Sequence, residues 1–174
     1  MRDKGSQYEL VERALRGWLA GAEKLIVLGV GNELRGEDAA GLLVARTLKT
    51  FNGERFEAVE CGATVEDCID YAFGEKPSHL LIVDAFPDGS RLMLLDPADL
   101  EPQKPVSTHA IPLPLLLEAL GKPVETSVKI LGIGVEKFEL GSTVSEECLK
   151  SVNKVAEAIR EAAAFTGLLK RRGE

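Results

Sequence analysis

The run Leu25-Ile26-Val27-Leu28-Gly29-Val30 is apolar at every position, and it breaks at Gly31-Asn32 before Gly36-Glu37-Asp38 and Gly41. An unbroken apolar run with β-branched members fits a strand covered on both faces, because a half-exposed strand alternates. Strands buried in this way belong to parallel sheets, and a glycine turn at the carboxyl end of one is where such sheets place ligand sites. The side chains delivered there are acids. They point to a cation or a polar reaction centre, since two carboxylates at a helix start would repel a phosphate. A dinucleotide fingerprint is only partly met: Gly29 and Gly31 are present, but Leu34 stands at the third glycine position. Glu60, closing the second strand, keeps a ribose acceptor conceivable.

The rest of the chain alternates strands with helices. Leu10, Val11, Ala14, Leu15, Trp18 and Leu19 form a stripe at helical spacing within residues 6–20, ended by Gly21. After the glycine turn, Ala40, Leu43, Val44, Leu48 and Phe51 share one helix face. Strands are expected over residues 55–60, 79–85, 91–95 and 128–135. Helices are expected over 65–73 and 114–120, and from Ser145, whose hydroxyl caps a first turn holding Glu146 and Glu147. This pattern predicts an α/β fold: one domain, a three-layer sandwich with a mostly parallel central sheet of about five strands flanked by helices. Residues 1–22 read as an N-terminal helical extension and residues 23–174 as the α/β domain.

Composition excludes whole classes of function. A formal charge of -7 argues against nucleic-acid binding, which needs a basic surface to displace counterions. No stretch approaches the roughly 18 apolar residues of a membrane span, and no apolar leader opens the chain, so a cytoplasmic protein is expected. Cys61, Cys68 and Cys148 lack the spacing of a zinc knuckle, and reduced, partly buried thiols are expected for all three.

Three candidate ligands fall at the carboxyl edge of the inferred sheet: Asp38 after the first strand, Asp84 closing Leu80-Leu81-Ile82-Val83, and His109 in a proline-flanked loop. Two carboxylates and an imidazole suit a borderline divalent metal such as zinc, nickel or iron(II), and equally suit acid–base chemistry on a carbonyl. Each also has an ordinary reading. Asp38 and Glu37 could favour a helix dipole, Asp84 could form a turn, and His109 could be a solvated loop residue. Gly62 and Thr64 offer a backbone and hydroxyl surface to a bound peptide, or else a turn and a helix cap. His79 opens a strand at the opposite edge and reads as structural. No Gly-x-Ser-x-Gly nucleophile elbow occurs.

These motifs together resemble one family. Gly29-Val30-Gly31-Asn32 with Gly36-Glu37-Asp38 and Gly41 resembles the opening motif of the [NiFe]-hydrogenase maturation endopeptidases. Cys61-Gly62-Ala63-Thr64, Ile82-Val83-Asp84-Ala85 and Ser107-Thr108-His109-Ala110-Ile111-Pro112-Leu113 resemble their later motifs, in order, over roughly residues 24–165. The last is most similar to the branch that processes the large subunit of hydrogenase 3, the formate hydrogenlyase type. The chain departs at Ala39 and Ala40, at Cys61-Gly62 in place of a double glycine, and in residues 1–22.

The resemblance implies an endopeptidase that removes the C-terminal extension of a hydrogenase large-subunit precursor after nickel insertion. It also implies that Asp38, Asp84 and His109 contact the metal. Asp38 and Asp84 are then the expected catalytic pair, and Gly62 and Thr64 the expected substrate contacts. No long exposed apolar stripe is evident in the sequence, so a monomer is expected. Nickel is expected to arrive with the precursor, leaving the isolated enzyme metal-free. Metal-assisted and aspartic-type hydrolysis both remain open, as do a non-cleaving assembly factor and a nucleotide-binding module.

Overall fold

The computed structural model describes residues 4–62, 64–100 and 113–170. Among the described residues, five strands form one sheet in the order β2-β1-β3-β5-β4. They are β1 (Leu25–Val30), β2 (Phe56–Gly62), β3 (His79–Phe86), β4 (Leu92–Leu95) and β5 (Ser127–Gly134). β1, β2, β3 and β5 run parallel, and only the edge strand β4 is antiparallel, against β5. The helices are α1 (Lys4–Trp18), α2 (Ala40–Leu48), α3 (Val65–Gly74), α4 (Leu113–Ala119) and α5 (Glu146–Phe165). The fold is the expected three-layer α/β sandwich.

The unbroken apolar run of β1 has a direct explanation. Leu25 and Val27 face a core shared with Leu15, Val44, Leu81 and Val155, under α1, α2 and α5. Ile26 and Leu28 face a second core with Ile69, Leu80, Ile130 and Leu116, under α3 and α4. Both pleat faces are dry, so no polar residue can alternate in.

α1 packs into the first core through Val11, Leu15 and Leu19, whereas Leu10 of the expected stripe is exposed. The Trp18 indole N–H donates to Ser127 Oγ at 2.8 Å, and its ring meets the edge of His79 with centroids 4.9 Å apart. His79 Nε2 donates to the Trp18 carbonyl at 3.0 Å, and burial holds the imidazole below its ordinary pKa despite that bond. His79 is therefore a strut at the amino edge of the sheet. Gln7 accepts from the Leu92 amide and donates to the Ser90 carbonyl, both at 3.1 Å. Its amide group thereby occupies polar backbone at the edge strand that would otherwise invite pairing.

Phe51 departs from its expected place. α2 ends at Leu48 and a short 3-10 turn, Lys49–Phe51, carries Phe51 outward to 39% exposure. Among the described residues, no helix is long and apolar enough to cross a membrane.

Candidate active site

β2 lies on one side of β1 and β3 on the other, so the chain reverses its direction of sheet growth between β1 and β3. The crevice outside the carboxyl ends of such a strand pair is where open α/β sheets bind ligands. Asp38 and Asp84 flank that crevice. Asp84 is in the last turn of pleat of β3, and Asp38 lies in the 3-10 turn Glu33–Ala39 that leaves β1. They are 6% and 1% exposed respectively, deep burial for carboxylates.

The two acids sense each other. Burial raises the Asp84 pKa well above the ordinary carboxylate range, the Ala85 amide at 2.9 Å opposes this, and the Asp38 charge raises it further. Paired carboxylates in a dry cleft cannot both ionise cheaply, so one retains its proton near neutral pH or the pair takes up a cation.

The turn that carries Asp38 is not the plain helix start expected from the sequence. Arg35 and Gly36 break its helical geometry, with Gly36 at φ +59°, and α2 begins only at Ala40. Asn32 caps the turn by accepting from the Leu34 amide at 2.9 Å. Glu37 does not face solvent near a helix dipole. It is 5% exposed, and its Oε2 accepts the amides of Glu136 at 3.0 Å and Lys137 at 3.1 Å. Its Oε1 accepts the hydroxyl of Ser145, which in turn accepts the Cys148 amide as the expected cap of α5. Burial opposes ionisation of Glu37, but the Ser145 hydroxyl and the two amides outweigh it and leave the pKa lowered.

Glu60 is engaged within the protein. Arg46 binds it through Nη2 at 2.9 Å and Nε at 3.1 Å while also reaching Glu33 at 2.7 Å. A glutamate already clamped by a guanidinium makes a poor ribose acceptor, which weakens the dinucleotide reading.

Gly62 and Thr64 border the same edge. The Gly31 amide donates to the Gly62 carbonyl at 3.3 Å, joining the two loops. Gly62 adopts φ +53°, and Thr64 stands at the start of α3 without capping it; its hydroxyl turns back to the Cys61 carbonyl at 3.4 Å. Cys61 and Cys68 form a disulfide across this loop, with Cα atoms 5.7 Å apart, so the expectation of three reduced thiols is corrected. The separation of seven residues places a strand end opposite the second turn of a helix, a juxtaposition that linear spacing does not reveal. Cys148 is free and buried, its thiol pushed up to about 12 by burial and by the Glu37 charge. Alkylation of the unfolded, unreduced protein should therefore add one label by intact mass, and alkylation after reduction three. Closing so short a loop is worth roughly 2–3 kcal/mol, so reduction should lower the melting temperature by about 5–10 °C. Three labels before reduction would refute the bridge.

His109 lies outside the described residues, and no group of three His, Cys, Asp or Glu side chains forms a metal set among those described. The structure thus brings together Asp38 and Asp84 of the expected triad.

No family model matches the chain. A protein of Methanocaldococcus jannaschii described as a hydrogenase maturation protease is 30% identical over 158 residues, covering 82% of this chain and 90% of that protein. The hydrogenase 3 maturation protease of Escherichia coli K12 is 31% identical over 111 residues, 62% of this chain and 70% of that one. In structure, the [NiFe] hydrogenase maturation protease HycI of Thermococcus kodakarensis superposes with a TM-score of 0.76 at 26% identity. The match covers 86% of this chain and 97% of that one.

Proposed function

Because this chain belongs to the hydrogenase maturation proteases, we propose that it removes the C-terminal extension of a [NiFe]-hydrogenase large-subunit precursor after nickel insertion. It is a peptide hydrolase of that family. The hydrogenase 3 branch is the proposed one, supported by the likeness to the Escherichia coli hydrogenase 3 protease. The observation that carries the reading is the burial of Asp38 and Asp84 together at the switch point of the sheet.

Peptide hydrolysis needs a base for the attacking water, an acid for the departing amine and stabilisation of an oxyanion. Burial keeps Asp84 protonated beyond the usual range, which suits it to protonate the amine; Asp38 is the proposed base. That is an aspartic-type division of labour. Nickel carried in by the precursor would add Lewis-acid polarisation of the carbonyl, with Asp38, Asp84 and His109 as its proposed contacts. Two carboxylates and an imidazole form a donor set a divalent cation accepts. Gly62 and Thr64, tied to the Gly31 turn, are the proposed substrate contacts. The enzyme is taken to act in the cytoplasm as a monomer, with no resident metal of its own.

The test is incubation with nickel-loaded and nickel-free precursor, followed by intact mass. Cleavage of the loaded form alone is expected. Equal cleavage of both would remove the role of nickel as a checkpoint, and no cleavage of either would leave an assembly factor that binds without cutting. His109→Ala should abolish product while shifting the melting temperature by less than about 2 °C.

A further inference from the structure

We propose that Glu37 is a positioning residue that holds Asp38 in its catalytic place, through its length and hydrogen bonds rather than through its charge. The proposal rests on the peptidase reading above.

Asp38 sits in a turn whose backbone is not helical at Arg35 and Gly36, so regular helix geometry upstream does not dictate where Asp38 points. What holds the turn is a set of bonds to the segment after β5. The Glu37 amide donates to the Lys137 carbonyl at 2.9 Å while its carboxylate accepts the Glu136 and Lys137 amides and the Ser145 hydroxyl. The Gly141 amide donates to the Leu34 carbonyl at 2.8 Å, and Arg35 Nε donates to the Phe138 carbonyl at 3.3 Å. The catalytic turn is therefore docked on residues 136–145, and Glu37, immediately before Asp38, is its buried anchor.

This geometry depends on side-chain length. Glu37→Asp is one methylene short and cannot span both amides and the Ser145 hydroxyl without dragging the turn toward them, carrying Asp38 with it. Displacement of a reacting group by about 1 Å costs on the order of 100-fold in rate. Glu37→Gln keeps the length: its oxygen can accept both amides and its amino group can donate to Ser145.

The experiment compares kcat and KM for precursor cleavage by these variants, with melting temperatures recorded alongside. Glu37→Asp should lose about 100-fold in kcat with KM changed less than about 3-fold, since the peptide-binding surface is untouched. Glu37→Gln should retain kcat within about 5-fold of wild type; rescue by an uncharged residue of equal length separates positioning from acid–base participation. If Glu37→Asp fails to fold, Ser145→Gly decides the matter. Glycine is tolerated at a helix N-cap nearly as well as serine, yet it removes one of the anchor's partners. It should lower kcat at least about 3-fold at a near-native melting temperature. Wild-type kcat in a folded Glu37→Asp, or in Ser145→Gly where that decides, would overturn the assignment, as would Glu37→Gln as inactive as Glu37→Asp. Failure of the wild-type protein to cleave any precursor would instead refute the peptidase reading itself.

Discussion

Asp84→Asn should eliminate cleavage and at the same time make the protein more stable at neutral pH. Asparagine has the same shape, and its oxygen can still accept the Ala85 amide that Asp84 accepts at 2.9 Å. It cannot deliver a proton as a carboxylic acid does. Loss of a general acid–base group costs about 100- to 10,000-fold, which places turnover near or below detection. The stability gain follows from the direction of the pKa shift. Burial first, and the Asp38 charge with it, raise the Asp84 pKa in the folded state. Its contribution to stability is thus fully present below the unfolded carboxylate pKa of about 4 and declines as pH rises toward the folded value. Asparagine escapes that decline.

Calorimetry in chelator at pH 4 and at pH 8 checks both signs. The two proteins should melt together at pH 4, and the variant should melt at least about 2–4 °C higher at pH 8, the shift that roughly 1 kcal/mol produces in a chain this long. A variant that is less stable at pH 8 would mean that Asp84 is not a destabilised acid. Glu37 obeys the opposite rule: its lowered pKa contributes stability above the unfolded value that is lost as pH falls through the folded one. Both proteins share that term, so it cancels from the comparison.

Such a trade of stability for chemistry helps explain which parts of this molecule are legible in its sequence. Leu25–Val30 reads as a two-faced buried strand because both cores demand apolar side chains from it. Asp84 stands out because it ends a run whose other members are apolar, and Ser145 because capping is a local interaction. Glu37 was legible only as an acid near a helix start. Its real partners are 99, 100 and 108 residues away, and only the sheet topology brings them to it. The Cys61–Cys68 bridge was hidden for a related reason: a seven-residue separation closes only when a strand end and a helix turn are set at the right angle. Phe51 leaves the expected helix face because helical periodicity in the sequence continues past Leu48, where the backbone has already tightened into a 3-10 turn.

Gly41→Ala should unfold the protein or lower its melting temperature by more than about 10 °C, although helix propensity alone favours the change. Alanine is better than glycine in a helix by about 1 kcal/mol, and Gly41 lies in the first turn of α2. Here, however, a Cβ would stand 2.5 Å from the Val30 carbonyl oxygen, 2.8 Å from the Val83 carbonyl carbon, and closer still to the Val83 oxygen. These are backbone atoms of the two central strands, fixed by their ladders, and cannot swing aside as a side-chain tip would. α2 must lift instead, withdrawing Ala40, Val44 and Leu48 from the core and moving the adjoining turn that holds Asp38. Overpacking costs about 1–3 kcal/mol where side chains can adjust, and more where they cannot. A penalty above about 4 kcal/mol is a large share of the 5–15 kcal/mol that holds a typical domain folded. Gly17→Ala supplies the control, because Gly17 is exposed within α1 and a Cβ there meets nothing within 4 Å. It should raise the melting temperature by about 1–4 °C. Thermal melts of the two single variants should thus move in opposite directions. A Gly41→Ala protein that melts within about 2 °C of wild type would show that α2 does not sit this closely on β1 and β3.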